Sequence, residues 1–221
     1  MSISPHVYQP DARPKLMWSS VSAKMPSSAL TYWRAIQLPA LNQLDEAHAA
    51  VEGPGPGRRY RTAQLNGAYV VLLAGQFQQL CRGLHSEAAG VIGSTAASQQ
   101  LRDAIVAGLT QRRRLDQGNA DPRSIGTDFA RFKMAFWNQV DSLDKRNAVR
   151  RRRLAELNIW RNAIAHQDFD FTPDDRNRVA GTKPTLPFVR TWRSACDALA
   201  EQFDLAVVAH LTTLTGARPW Q

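Results

Sequence analysis

From residue 28 onward, apolar side chains recur every three or four positions, the spacing that lays one stripe along a helix. Leu38, Leu41 and Leu44 mark the apolar side of a first helix over 28–51, with Pro39 starting its second part or kinking it. Gly53-Pro-Gly-Pro-Gly57 breaks regular structure and leads into one long helix over 58–92. There Tyr69, Leu72, Leu73, Phe77 and Leu80 keep the helical period. Val70 and Val71 make its middle apolar nearly all round, as in a central helix buried on several sides. After a small, polar turn at 90–98, Leu101, Ile105 and Leu109 share one side of a third helix over 97–114. A loop over 116–122 follows. Thr127 or Asp128 then caps a short helix reaching Val140, with Phe129, Phe132, Phe136 and Trp137 turned inward. At that spacing aromatics read as core rather than as base-stacking platforms.

The pattern runs without a breaker from Leu143 to His166. Leu154, Leu157, Trp160 and Ile164 form its buried stripe, while Asn158, Asn162 and His166 follow one another on a different side. Arg161 sits at the stripe's edge. It is roughly 140° around the axis from His166 and about 7.5 Å along it. The surface between them carries Ala165, Asn158 and Asn162, so a guanidinium and an imidazole border a shallow polar notch. Thr172-Pro173 ends the helix, 173–187 is a loop, and a last helix over 188–214 takes Val189, Trp192, Leu199, Phe203 and Leu214 as core contacts. No alternating strand pattern rises above noise, so the expected class is all-α.

The first 28 residues differ in kind. Pro5, Pro10, Pro14 and Pro26 lie among serines with no sustained period, so residues 1–28 read as an extended or disordered arm on a helical domain over 29–221. Leu16, Met17 and Trp18 give that arm apolar groups suited to docking, for example onto another subunit.

Charge narrows the partners. The formal net charge is +9, with a pI of about 10.2. That favours polyanions, because each Lys or Arg near a phosphate releases a condensed counterion. Lys145, Arg146, Arg150 and Arg153 are the candidates for holding an RNA backbone, a solvated charged half-helix being the simpler alternative. Arg58, Arg59 and Arg61 crowd a helix start, and Arg112 to Arg114 read as ordinary dipole partners at a helix end. The longest apolar run, 68–74, is too short for a bilayer, and the N-terminus lacks a signal-like apolar region, so no membrane contact and a cytoplasmic location are expected. Cys81 and Cys196 have no paired spacing. The histidines lack companions at metal-ligand spacing, Asp141 and Asp144 are too sparse for a metal site, and no Gly-rich loop cradles phosphate. No metal and no other cofactor is expected.

Arg161-Asn-Ala-Ile-Ala-His166 resembles the Arg-x4-6-His signature of the HEPN superfamily, in which a polar residue, often Asn, follows the arginine. The resemblance implies a helical bundle that dimerises with its two motif helices facing across a cleft. It also implies metal-independent ribonuclease activity, often in toxins, abortive-infection proteins or other phage-defence effectors. On that resemblance Arg161 and His166 match the catalytic pair and Asn162 the polar position beside it. Asp168 stands where some family toxins carry a modifiable tyrosine, so neutralisation by tyrosine modification is not expected, while a binding antitoxin is compatible.

The chemistry suits those residue types. Cleaving RNA without metal needs a group to take the 2′-OH proton, a donor for the leaving 5′-oxygen and positive charge on the phosphorane. Histidine titrates near working pH, and arginine presents a permanently charged donor fork. One histidine cannot be base and acid at once, so the mechanism needs two chains. Two other readings stay open. One is a non-catalytic helical module binding RNA or nucleotide through the same notch; the other is a helical dimerisation scaffold. A terminal-turn histidine partnering the last carbonyls or Asp168 is the plain structural role for His166.

Overall fold

A computed structural model describes residues 25–51 and 59–220, and all regular structure in them is helical. Most of the Pro-rich arm and the Gly53–Gly57 connection lie outside the described residues.

The first helical stretch is made of α1 (Ser28–Tyr32), a π-helical turn (Trp33–Gln37) and α2 (Leu38–Val51). Pro39 has no N–H to donate, and the π turn lies immediately before it. There the Leu38 N–H donates to the Trp33 carbonyl five residues back, so the chain absorbs the proline without leaving the helix. The body does not wait for residue 29 to begin. Ser27 is fully buried: its side chain caps α1 through the Leu30 N–H, and its own N–H donates to Asp204 at 3.0 Å.

Helix α3 (Arg59–Ser94) is about 54 Å long at the usual rise and touches nearly every other large element. It packs with α8 (Asn147–His166) and α10 (Leu186–Thr215), which also pack on each other, and the α1–α2 stretch lies along it. Between these helices sit Trp33, Leu41, Tyr69, Leu73, Phe77, Trp192, Leu199 and Phe203, all closed to solvent or nearly so. Val71 and Leu72 are 36% and 38% exposed, so α3 is not covered all round at its middle, as its composition had implied.

Helix α4 (Gln99–Thr110) is capped by Ser98 and leans on α3 without burying any residue fully. It stops four residues short of the expected end, because Gln111 is extended and Arg112 takes a left-handed φ of 54°. A single turn, α5 (Arg114–Gln117), occupies part of the predicted loop. The next helix, α6 (Pro122–Phe129), starts five residues before the expected cap. Asp121 is the actual N-cap, accepting from the Arg123 and Ser124 N–H groups, with Pro122 at the first helical position. Asp128 caps a different helix: its two oxygens accept from the Arg114 and Leu115 N–H groups of α5. A 3₁₀ turn and Lys133, with φ 59°, lead into α7 (Phe136–Leu143). Phe129, Phe132 and Phe136 are buried as expected, the first and last stacked at 4.4 Å.

A further correction concerns the run from Leu143 to His166, which is broken. Asp144 is extended, and its carboxylate accepts from the Arg146 N–H two residues on, a local bond that competes with helix. Asn147, fully buried, donates to the Val140 carbonyl and ties the two helices across the break. The last stretch also differs. Thr172 caps α9 (Pro173–Arg178) inside the predicted loop, and Leu214 is 53% exposed rather than core. No helix of the described residues is long and apolar enough to cross a membrane.

Candidate active site on the last turns of α8

Helix α8 is held by the stripe read from its periodicity. Leu154 and Leu157 are buried, and half-buried Trp160 and Ile164 pack against the core. The Trp160 indole donates to Thr182 at 2.9 Å and meets Phe171 edge-on at 5.2 Å. The helix ends where Gln167 takes a left-handed φ of 53°, and the Asp168 N–H returns to the Ala163 carbonyl. That stop leaves His166 on the final turn, exposed.

Beside this end runs a groove of about 740 Å³. One wall is α8, contributing Asn158, Asn162 and His166; a second is the loop and first turn at 118–124; the third is the 168–178 segment. Arg161 lies outside the lining, half-buried. It is tied to the groove through Asn162, whose Oδ1 accepts from Arg161 Nη1 at 3.2 Å and also from Asn119 Nδ2. The sequence motif therefore closes into a small polar cluster, with His166 one turn further along the same face as Asn162. Among the described residues the His166 ring has no hydrogen-bond or ion-pair partner, so neither the terminal carbonyls nor Asp168 occupies it.

The other histidines that the structure places in contacts are committed elsewhere. His210 meets the Phe132 carbonyl at 3.0 Å. His85 is buried against Phe129 and Phe132, and burial lowers its pKa to about 4. Arg113 can only donate, so the His85 Nδ1 accepts from it and the proton sits on Nε2, facing the Asp128 carbonyl at 3.1 Å.

The basic candidates are spread along α8 rather than gathered at the groove. Arg146 lies about 30 Å from His166 along the axis, and Arg153 about 20 Å. Arg146 and Arg150 both bind Asp144, and the Arg146 side chain and N–H, with help from Arg150, hold that carboxyl well below the usual range. Arg151 pairs with Asp141 at 3.2 Å and lies over the Trp137 ring. Arg152 and Arg153 both reach Glu156, a buried carboxylate that also accepts from the Trp192 indole. Lys145 is exposed, with no partner among the described residues. Arg150 to Arg153 each have an acidic partner in the chain, but with Arg146 they share three carboxylates, so the stretch keeps a surplus of positive charge; Arg153 in particular reaches the buried Glu156.

Two features of the site went unread in the sequence: Asn119, which grips the motif asparagine, and the acidic wall after the helix. The Asp121-Pro122 pair was the available signal, a cap followed by a first-turn proline that fixes where the 118–124 wall must turn. In the lining, Asp121, Asp168, Asp170 and Asp175 outnumber Arg123 and Arg178. Among the described residues no cluster of three or more His, Cys, Asp or Glu side chains is arranged to hold a metal. Compared with protein-family models, curated proteins and solved structures, the chain matches none of them.

Proposed function

We propose that the protein is a metal-independent endoribonuclease of HEPN type, working as a homodimer, in a toxin or phage-defence role. The observation that carries this reading is the cluster itself: an arginine bonded to the asparagine beside it, and that asparagine one turn from an exposed, uncommitted histidine at the end of the helix. In a dimer with the two helix ends apposed, two guanidinium and two imidazole groups meet one phosphate. One His166 takes the 2′-OH proton and the other protonates the leaving 5′-oxygen, while Arg161 stabilises the charge on the phosphorane. The products are a 2′,3′-cyclic phosphate and a 5′-hydroxyl. An antitoxin or defence-system partner would act by covering the groove.

The test is RNA incubated with the protein in EDTA, followed by end-group analysis. Wild type is expected to cleave. Arg161→Ala and His166→Ala are each expected to lose at least about 100-fold in rate while keeping their helical content. Cleavage persisting in both variants removes the site. The internal pairing of Arg150 to Arg153 favours one alternative, a helical dimerisation scaffold that does not bind RNA. RNA that stays intact and unbound after prolonged incubation selects that alternative.

A further inference from the structure

A second groove, of about 530 Å³, runs along α3, and its lining has the opposite sign to the one beside His166. Gln78, Gln79, Arg82, Ser86 and Arg113 form its walls. Among the described residues, none that lines it is acidic, aromatic or large and apolar. Gly75, Gln79, Arg82 and Ser86 share one face of α3 by their spacing, and a Cβ added at Gly75 would meet nothing within 4 Å. A ligand can therefore lie close to the helix.

The arginines here are not serving a helix end. Arg112 to Arg114 follow α4 in sequence, but α4 stops at Thr110, and Arg131 takes the Leu109, Gln111 and Arg112 carbonyls instead. Arg113 turns back to α3 and is only 8% exposed. Its Nη1 donates to the Ser86 hydroxyl at 2.8 Å and the Arg82 carbonyl at 3.3 Å, while Nε and Nη2 hold Asp116. Arg82 meets the same carboxylate through Nε at 2.9 Å, and its terminal nitrogens make no hydrogen bond among the described residues. Two guanidinium groups thus share one carboxylate, which is outside the lining. Burying a cation that shares its counter-ion costs desolvation energy, and an arriving anion offsets that cost. Arg112 and Arg114, both exposed, have no acidic partner among the described residues and add to the surplus.

The groove is also joined to the motif. Gln78 donates to the Leu115 carbonyl at 2.7 Å and to the Gly118 carbonyl, and the next residue, Asn119, holds Asn162 beside Arg161.

We infer that this groove holds the backbone of single-stranded RNA, with a phosphodiester group seated on Arg82 and Arg113 while the motif acts elsewhere on the same strand. This rests on RNA being the substrate and names where the strand is held. Charged and amide donors suit phosphate oxygens, whereas a protein partner would need an apolar centre that the lining lacks. With no ring to stack on, the groove reads charge and not base.

The probe is a short fluorescein-labelled oligouridylate with 2′-O-methyl riboses, which lacks the attacking hydroxyl and cannot be cleaved. Fluorescence anisotropy follows its binding to the full chain over a series of KCl concentrations. Wild type should bind less tightly as salt rises. Arg82→Gln should weaken binding at least about fivefold and flatten the slope of log Kd against log salt by about 0.7, the share of one phosphate contact on a single strand. The Arg82 side chain is half-exposed and Arg113 still holds Asp116, so this variant spares the fold, whereas Arg113→Gln would disturb His85 and Ser86. Gly75→Glu sets a carboxylate where space is open and should weaken binding at least as much, while Gly75→Ala should bind as wild type does. An oligonucleotide that does not bind, or binding unchanged by either charge variant, overturns the inference. So does a preference for poly-glutamate over the oligonucleotide, the behaviour of a site for an acidic protein. Arg82-dependent binding by a chain that leaves RNA intact in EDTA removes the ribonuclease reading and keeps the groove. Cleavage by Arg82→Gln with an unchanged KM removes the groove and keeps the ribonuclease.

Discussion

Asn162 shows how a single amide can set the geometry of a charged group. Its Oδ1 takes bonds from two directions, Arg161 on its own helix and Asn119 from the loop opposite, so the guanidinium is positioned from outside the helix as well as within it. Asn162→Ala removes that hold without touching either ionisable group. Cleavage is expected to fall by roughly tenfold, the value of one oriented hydrogen bond, mainly in kcat. Asn162→Asp is expected to fall further, since it sets a negative charge beside the phosphate; an unchanged rate in both variants would show that Arg161 needs no such support. The motif residues were legible because helical spacing alone puts Asn162 and His166 on one face. Asn119 was not, since a lone asparagine in a Gly-Asn-Ala loop carries no periodic signal.

The elements behind the groove are secured at the junction of α4, α5 and α6, where neutral His85 is pinned between Arg113 and the Asp128 carbonyl. The Asp128 carboxylate caps α5, and Arg131 donates to the Leu109, Gln111 and Arg112 carbonyls left open at the end of α4. Because burial lowers the His85 pKa from 6.5 to about 4, protons bind the unfolded chain first as pH falls. The stabilisation is complete above about pH 6.5 and declines between there and about pH 4, by on the order of 3 kcal/mol. Asp204, whose carboxyl burial raises, contributes with the opposite sign, so the informative comparison is between wild type and His85→Gln. Urea unfolding at pH 7 and pH 4.5 should show wild type losing stability and the variant losing much less; equal losses would contradict this assignment. Most elements here were readable from apolar spacing, yet their ends were misplaced for a shared reason. Asp121, Asp128 and Asp144 each stop or start a helix through side-chain bonds to nearby N–H groups, and which helix Asp128 serves depends on a contact made only in the fold.

At the scale of the whole molecule, α3, α8 and α10 enclose one core, and the end of α8 that carries Arg161 and His166 extends a helix packed on both of the others. The net charge of +9 pointed to nucleic acid, but charge count says nothing about placement. Arg146 and the arginines of 150–153 share Asp141, Asp144 and Glu156 and so keep a positive surplus far from the helix end, while the face beside His166 is acidic. On the ribonuclease proposal, the positive charge that meets the phosphate comes from Arg161 and His166 of two chains, because one histidine cannot be base and acid at once.

The most direct measurement mixes wild type with increasing proportions of His166→Ala at constant total protein, with subunit exchange, and follows RNA cleavage in EDTA. If each site draws its imidazoles from both chains, mixed dimers are inactive and total activity falls as the square of the wild-type fraction. A linear fall, with every wild-type chain retaining its full rate whatever its partner, would contradict the shared site.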